Sequence, residues 1–431
     1  MNKKREIQRL IFNWSWIKVI CLFGLLACNI QGHAQSNLVL GIDLLDRSGN
    51  AKIKFEMEQG FIVIKTWLQG VIPLRLIFDT GAENTILFDK EIAELLGISF
   101  ERQIPIMGSD LDSVLIANIA RNVKMRIEGC RIAKRDIIVL ENNNLLLKEK
   151  LGIEVSGIVG GSFFANLVVK IDYRKKEITL KHPNQFKPPG SAYENLKLQV
   201  RSNKPYVLAD VSIRDNEPTR VKLLLDTGAA LAFLVHSNTD DALKLPERVM
   251  VGNLGFGLSG VLRGFRGKTQ RLDLGKYQFT DIATSFQDLN IDSTTISRDI
   301  VRNGILGNTF LSRFTVIIDY NKEELYLKAK GKYNKKFDFD KSGLTLFSVG
   351  QNLDQYYVVA VLVDSPAYRA DIKPGDLIYK LGRRRTINMS LQAIMYKLSR
   401  KTGKKIKMTI IRDEVYLKRE FNLEEWYRVI D

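Results

Sequence analysis

The sequence carries an Asp-Thr-Gly-Ala motif twice, at residues 79–82 and 226–229, each time after three apolar residues. A carboxylate that follows an apolar strand and precedes Gly lies on a tight turn, where its oxygens can face a cleft. Two carboxylates about 3 Å apart cannot both ionise, so such a pair shares one proton. The charged member can take a proton from an attacking water while the protonated member polarises an amide carbonyl. The motifs therefore predict hydrolysis of amide bonds without a cofactor or metal.

The two motifs belong to a longer internal repeat. The block at residues 157–163, Gly-Ile-Val-Gly-Gly-Ser-Phe, recurs at 304–310 as Gly-Ile-Leu-Gly-Asn-Thr-Phe, and Ile-Asp-Tyr at 171–173 recurs at 318–320. All three blocks are displaced by 147 positions, which indicates two copies of one unit. We expect a first repeat at 46–182, a Pro-rich linker at 183–195 and a second repeat at 196–332.

The elements that must position these motifs are mostly strands. Residues 61–67, 206–213, 168–173 and 315–320 are rich in β-branched and aromatic side chains, as strands are. Helical signal is limited to short pieces such as 89–96. A unit of roughly 130 residues built of short strands indicates a β-barrel or sandwich, so the chain is predicted to be mainly β.

The repeated motifs, together with the downstream Gly-Ile-Val-Gly and Gly-Ile-Leu-Gly blocks, resemble the active-site motifs of retropepsin-like aspartic proteases. The resemblance covers about residues 50–330 and implies two β-barrel lobes forming a pseudo-dimer within one chain. It implies Asp79 and Asp226 as the catalytic pair. The supporting residues of the active-site turns would be Thr80, Gly81, Thr227 and Gly228, with the two threonines hydrogen-bonding between the lobes. One departure is that Thr85 follows the first motif whereas Ala232 takes its place in the second.

A glycine-rich stretch in the second repeat has three interpretations. Residues 255–260 match the G-x-G-x-x-G dinucleotide motif, but that motif requires a strand and a helix around it, and the repeat is predicted to be all β. A hairpin over the cleft is favoured, with residues 104–110 as its counterpart in the first repeat, and an ordinary surface loop is the alternative. The candidate residues of the two hairpins are Met107, Gly108, Gly255 and Gly257.

Residues 333–431 differ from the repeats. Ser365-Pro366-Ala367 and the segment 373–378 predict a turn that enters a strand. Ser390 can cap a helix over 391–398 that Gly403 ends. Residues 405–412 and 415–423 predict a hairpin. This region resembles a bacterial PDZ domain, which adds a peptide to a sheet edge. The resemblance implies that backbone N–H groups of the loop 342–346 receive a peptide C-terminus, with Gly343, Leu344, Thr345 and Leu346 as binding residues. The alternative is a domain that only packs on the repeats.

The first residues are typical of an export signal. A basic leader precedes nine apolar residues at 19–27, too few to cross a bilayer, which needs about 20. Gly32-His33-Ala34 favours cleavage after Ala34, giving a signal peptide at 1–34 and a secreted or periplasmic protein. The alternative is a lipoprotein anchored through Cys28.

Composition excludes several other chemistries. With the leader removed, only Cys130, His182 and His236 remain of 3 Cys and 3 His, too few for a Cys/His zinc site. The net charge of +17 could attract an anionic membrane surface loosely, but no aromatic interleaving accompanies the basic runs, so nucleic-acid binding is disfavoured. The expected partner is a peptide or protein substrate; its identity and the oligomeric state stay open. The alternative function is a non-catalytic peptide-binding envelope protein on a protease scaffold, which the two intact aspartates argue against.

Overall fold

The computed structural model describes residues 42–107, 114–142, 152–214, 217–257, 260–289, 302–337, 340–425 and 428–429. The predicted export signal at 1–34, the alternative anchor Cys28 and the hairpin candidate Gly108 lie outside these residues. Among the described residues, no helix has both the length and the apolar character needed to cross a membrane. The prediction of a mainly β chain is confirmed.

The first repeat contains ten described strands: β1 (Asn50–Glu58), β2 (Phe61–Leu68), β3 (Ile72–Phe78), β4 (Ile86–Leu87), β5 (Arg102–Met107), β6 (Val114–Ile127), β7 (Ala133–Leu140), β8 (Gly157–Val159), β9 (Val168–Asp172) and β10 (Glu177–Lys181). Helix α1 (Lys90–Leu95) follows β4 and is capped by Asp89, whose side chain accepts a hydrogen bond from the Glu91 amide. The helical piece predicted at 89–96 corresponds to this helix.

The second repeat also contains ten described strands: β11 (Glu194–Arg201), β12 (Lys204–Ser212), β13 (Thr219–Asp226), β14 (Phe233–His236), β15 (Arg248–Gly257), β16 (Gly260–Leu274), β17 (Tyr277–Gln287), β18 (Gly304–Gly307), β19 (Phe314–Asp319) and β20 (Glu324–Ala329). A short helix, α2 (Asn308–Leu311), follows β18.

The strands of the two repeats pair in the same pattern. β3 runs parallel to β8 and β13 runs parallel to β18, while β4 and β14 run parallel to β7 and β17. The repeats meet at an antiparallel pairing of β9 with β19, in which Asp172 lies opposite Thr315 and Val168 lies opposite Asp319. The sequence repeat is therefore also a repeat of backbone pairing.

Alternation of side chains along the strands supplies the core. In β10, for example, Ile178 and Leu180 are buried while their neighbours are half-buried, because successive side chains point to opposite faces of the sheet. One hydrophobic cluster includes residues of both repeats, from Ile53 and Phe78 to Leu225 and Phe314. This shared core holds the ends of β3 and β13 in place.

The C-terminal region (333–431) has a separate six-stranded sheet with its own apolar cluster. Its elements are β21 (Leu344–Val349), β22 (Gln355–Val361), α3 (Pro366–Arg369), β23 (Leu377–Leu381), β24 (Arg384–Arg385), α4 (Leu391–Leu398), β25 (Lys405–Arg412) and β26 (Val415–Asn422). The Ser390 hydroxyl caps α4 by accepting from the Ala393 amide at 3.2 Å, as predicted.

Three details of this region differ from the prediction. α4 ends at Leu398 with Ser399 as its cap, ahead of Gly403. The turn predicted after Ser365 contains the short helix α3, since the Ser365 hydroxyl accepts from the Tyr368 amide. A last strand, β27 (Arg428–Val429), leaves the six-stranded sheet and pairs with Arg248 and Val249 of β15 in the second repeat.

Candidate active site

Each Asp-Thr-Gly motif begins where a buried strand ends. Asp79 follows β3 and Asp226 is the last residue of β13. Asp79 Oδ1 accepts hydrogen bonds from the amides of Gly81 at 2.7 Å and Ala82 at 3.1 Å, and Asp226 Oδ1 accepts from the Gly228 amide at 2.8 Å. These short-range bonds hold both carboxylates in defined positions on their turns.

The two threonines join the turns across the repeats. The Thr80 amide donates to Thr227 Oγ1 and the Thr227 amide donates to Thr80 Oγ1, both at 3.0 Å. Each hydroxyl in turn donates to the opposite strand: Thr80 to the Leu225 carbonyl and Thr227 to the Phe78 carbonyl, both at 2.7 Å. Both threonines are completely buried, so these four bonds form in the low dielectric of the core.

The glycine of each turn contacts the carboxylate of the other repeat. A Cβ at Gly81 would lie 2.4 Å from Asp226 Cγ, and a Cβ at Gly228 would lie 2.1 Å from Asp79 Cγ. No side chain fits at either distance. Gly is required because the opposite carboxylate occupies the space, and the two aspartates therefore lie across the same small gap.

The environment of the pair favours a shared proton. Burial, the nearby charge of Asp226 and a hydrogen bond with the Asp226 side chain raise the pKa of Asp79 well above its ordinary value, against the opposing effect of the Gly81 and Ala82 amides. Burial also raises the pKa of Asp226, while the hydrogen bond from Asp79 and the charge of Arg302 oppose the rise. The raised pKa values therefore belong to the pair, which holds one proton between its two carboxyl groups.

Comparison with known families gives one match at this site. Residues 64–163 match the family model described as Aspartyl protease. The matched residues run from β2 past β8 and include Asp79 and the 157–163 block. The match supports a retropepsin-like aspartic protease domain in this chain, and with it a protease hydrolase. No curated protein matches the chain.

The predicted cleft hairpins correspond to two antiparallel hairpins at equivalent positions of the repeats, β5–β6 and β15–β16. Met107 is the last residue of β5, and Gly255 and Gly257 lie on β15. Ile106 and Leu115 of the first hairpin pack against the apolar cluster that also contacts Ala82 of the Asp79 turn. The G-x-G-x-x-G match begins on β15, which continues into an antiparallel hairpin with β16, so the strand-to-helix context of a dinucleotide site is not met there.

The predicted peptide-binding loop of the C-terminal region is partly occupied by its own chain. The Gly343 amide donates to Asp340 Oδ2 at 2.8 Å, and the Leu344 amide donates to the Ser342 hydroxyl at 3.2 Å. Thr345 and Leu346 lie on β21, at the edge of its sheet. The Asp340 carboxylate and the Ser342 hydroxyl take these two hydrogen bonds in the structure, and peptide binding by Gly343 and Leu344 stays a prediction.

Sequence reasoning assigned no role at the site to a group of polar residues beside Asp226. Arg302 precedes β18, Tyr206 lies on β12 and His236 ends β14, and the charge of Arg302 acts on all three of Asp226, Tyr206 and His236. No motif marks these residues. The available signal was the 147-residue register, which aligns Arg302 with an apolar residue, Val155, in the first repeat.

Proposed function

We propose that this protein is an exported aspartic endopeptidase that hydrolyses peptide bonds with a water activated between Asp79 and Asp226. The observation that carries the proposal is the meeting of the two turns. Thr80 and Thr227 exchange hydrogen bonds between the repeats, and each turn's glycine faces the opposite carboxylate. This arrangement brings two carboxyl groups to one gap in a setting that retains a single proton.

The roles follow from the shared proton. The charged carboxylate of the pair takes a proton from water as the water oxygen attacks the amide carbon. The protonated carboxyl group donates a hydrogen bond to the carbonyl oxygen, which lowers the energy of the tetrahedral intermediate. When the C–N bond breaks, the pair delivers a proton to the leaving nitrogen, and the dyad returns to one proton.

A peptide-cleavage assay tests this function. The purified mature chain is incubated with a mixed peptide library with and without pepstatin, and products are identified by mass spectrometry. Pepstatin-sensitive cleavage that Asp226→Asn abolishes supports the proposal. Cleavage that persists in Asp226→Asn, or no cleavage by a folded wild-type protein at pH 3–8, contradicts it and favours the non-catalytic peptide-binding alternative.

For the C-terminal region we propose a PDZ-type role, in which a peptide or protein C-terminus adds along the edge strand β21. A packing role is the second candidate, and three contacts favour it. Gly152 of the first repeat approaches Ser348 of β21 and Leu391 of α4. Lys268 of the second repeat pairs with Glu425 at 2.8 Å. β27 extends β15.

Substrates that differ only at their C-terminus separate these roles. If the region binds C-termini, the full chain cleaves a protein with a free C-terminal tail faster than the same protein with an amidated tail. Short internal peptides should show no such difference. Equal rates for the free and amidated tails would favour the packing role.

Export rests on the leader sequence alone. N-terminal sequencing of the protein recovered from a bacterial host is expected to give Gln35 as the first residue. Lipidation at Cys28, detected by mass spectrometry and removed by Cys28→Ser, would favour the anchored alternative.

A further inference from the structure

The two repeats present corresponding side chains beside their aspartates. In the first repeat Ile77 lies opposite Val63 on β2 and Ile158 on β8; in the second repeat Leu224 lies opposite Tyr206 on β12 and Ile305 on β18. Directly opposed residues share a face of the sheet, and residues two apart on a strand do too. Val63 and Tyr206 therefore lie on the faces that carry Asp79 and Asp226.

The segments before β8 and β18 also correspond. The Ser156 amide donates to the Arg75 carbonyl and the Asn303 amide donates to the Lys222 carbonyl, both at 2.9 Å. The Ser156 carbonyl also accepts a hydrogen bond from the Phe88 amide, and the Asn303 carbonyl accepts one from the His236 amide. Val155 and Arg302, one residue earlier, are thus placed by the same backbone bonds in the two repeats.

The chemistry at these equivalent positions is different. In the first repeat Phe61, Val63 and Ile158 are buried in one apolar cluster, and Val155 packs against it. Lys204, Tyr206 and Arg302 take the places of Phe61, Val63 and Val155 in the second repeat. One side of the dyad is therefore lined by hydrocarbon and the other by polar and cationic groups.

The polar side contains buried atoms with unused hydrogen-bonding capacity. Tyr206 is 1% exposed and His236 is 2% exposed. Among the described residues, Tyr206 Oη, Arg302 Nε and both ring nitrogens of His236 lack a hydrogen-bond partner of good geometry. Tyr206 and Arg302 are nevertheless near enough to affect each other's pKa, and the Gln287 backbone acts in the same way on the pKa of His236. Buried polar atoms left unpaired destabilise the folded chain, so a group of them around one guanidinium indicates a place for a ligand.

We propose that Arg302, Tyr206 and His236 form a subsite that binds a carboxylate of the substrate, so that the protease prefers an acidic residue on the Asp226 side of the cleaved bond and an apolar residue on the Asp79 side. The guanidinium supplies a planar pair of donors that matches a carboxylate. The Tyr206 hydroxyl and the imidazole N–H of neutral His236 add two more donors. This inference rests on the proposed protease function.

Lys204 contributes less to this subsite than Arg302 does. Burial lowers the pKa of Lys204, and the Glu83 carboxylate opposes that effect more than any other group. Lys204 is therefore already partly compensated by a carboxylate of the first repeat. Ala230 holds the position that corresponds to Glu83 in the second repeat, so only the first repeat supplies a carboxylate at this position.

A matched pair of peptides tests the preference. Peptides that differ only by Glu or Gln next to the cleaved bond are compared by kcat/KM, with free and amidated C-termini to separate a side-chain carboxylate from a terminal one. We expect the Glu peptide to be favoured about 10- to 100-fold whatever its terminus, as for a hydrogen bond to a charged group. Arg302→Leu should remove most of this ratio. Arg220→Leu, which removes a surface arginine paired with Asp210, should keep it.

Three results would overturn the inference. The first is a ratio near one between the kcat/KM values of the Glu and Gln peptides in the wild type. The second is a ratio that Arg302→Leu leaves unchanged while the pH profile of kcat/KM moves, which would make Arg302 only a partner of Asp226. A preference that depends on a free C-terminus would assign the subsite to the terminal carboxylate.

Binding of uncleavable reduced-amide peptides with Glu or Gln, measured by calorimetry, separates this inference from the proposed function. Tighter binding of the Glu peptide that Arg302→Leu abolishes supports the subsite even if no peptide is cleaved. Equal binding of the two peptides contradicts the subsite even if cleavage occurs.

Discussion

Two pairs of aspartates recur in the 147-residue register, and only one pair meets. Asp172 and Asp319 are related in the same way as Asp79 and Asp226, and they form the same local turn. Asp172 Oδ1 accepts from the amides of residues 174 and 175, and Asp319 Oδ1 accepts from those of 321 and 322, all at 3.1 Å. Neither the register nor the turn distinguishes the two pairs.

The two pairs of aspartates differ in where they lie relative to the contact between the repeats. Asp172 and Asp319 lie at opposite ends of the β9–β19 pairing, about 13 Å apart along the strands. Asp79 and Asp226 lie on turns that exchange hydrogen bonds, with a buried threonine after each aspartate. The residues that follow Asp172 and Asp319 are Tyr173 and Tyr320, whose side chains fill the core. A repeated carboxylate becomes a dyad only where the repeats touch at that carboxylate.

The strongest test of this comparison replaces one aspartate at a time. Asp79→Asn or Asp226→Asn alone is expected to lower kcat by about 100- to 10,000-fold, since each leaves no pair that can share a proton. Asp172→Asn and Asp319→Asn, which alter the same kind of turn, should keep kcat within a few-fold. The measurement is steady-state cleavage of one peptide by all four variants. A single dyad variant that keeps most of its kcat would show that the dyad assignment is wrong.

The threonines offer the next largest effect, on stability. Thr80→Val keeps the shape but leaves the Thr227 amide and the Leu225 carbonyl without their bonds, at a cost of about 2–4 kcal/mol in the free energy of unfolding. Thr227→Val should cost a similar amount through the Thr80 amide and the Phe78 carbonyl. Urea unfolding measures both, with the half-buried Thr179→Val on β10 as the control. A loss from one variant only would show that the junction is not symmetric.

A third test measures how the free energy of unfolding depends on pH with and without the Asp79 carboxyl group. The pKa of Asp79 is raised in the folded chain. Its protonated carboxyl group therefore contributes to the free energy of unfolding in full below the ordinary pKa of 3.8, and this contribution is lost as the pH rises through the raised value. Asp79→Asn removes this loss and should therefore have a higher free energy of unfolding than the wild type at pH 7. Asp172→Asn controls for the loss of the turn's own bonds. If the wild type were instead more stable than Asp79→Asn by a margin that grows with pH, a raised pKa of Asp79 would be contradicted.

The smallest expected effect concerns the residue after each glycine. Ala82 and Ala229 have no side-chain donor, whereas Ser at these positions could donate to the carboxylates and favour their charged form. The double variant Ala82→Ser with Ala229→Ser should move both limbs of the kcat/KM profile to lower pH, by up to about one unit. The wild-type profile should extend toward neutral pH. A profile confined to strongly acidic pH, or one that the double variant does not move, would contradict this explanation.

Local signals predicted much of this protein. Apolar runs ahead of each Asp-Thr-Gly motif predicted buried strands that end at a turn, and β3 and β13 end there. Ser390 predicted the start of α4 because an N-cap is a contact within a few residues. The 147-residue register predicted two copies of one unit, since each block matches its counterpart by sequence alone.

The remaining features depend on contacts between distant segments. The occupation of the Gly343 amide by Asp340 involves a common residue type that no motif marks, and β27 reaches β15 across some 180 positions of the chain. Arg302, Tyr206 and His236 come from three separate strands or strand ends. Sequence patterns identify strands and turns, but they do not give the neighbours that tertiary packing brings together.

The sequence by itself determined which residues could do the chemistry, because paired carboxylates on glycine turns need only a motif, an apolar run before it and a repeat. Tertiary structure alone decided which repeated aspartates face each other, why Gly81 and Gly228 admit no side chain, and where the half-buried Arg302 lies beside the pair. The physical reason is distance: charge sharing and close packing act over a few ångströms in space, here between turns that the chain separates by 147 positions.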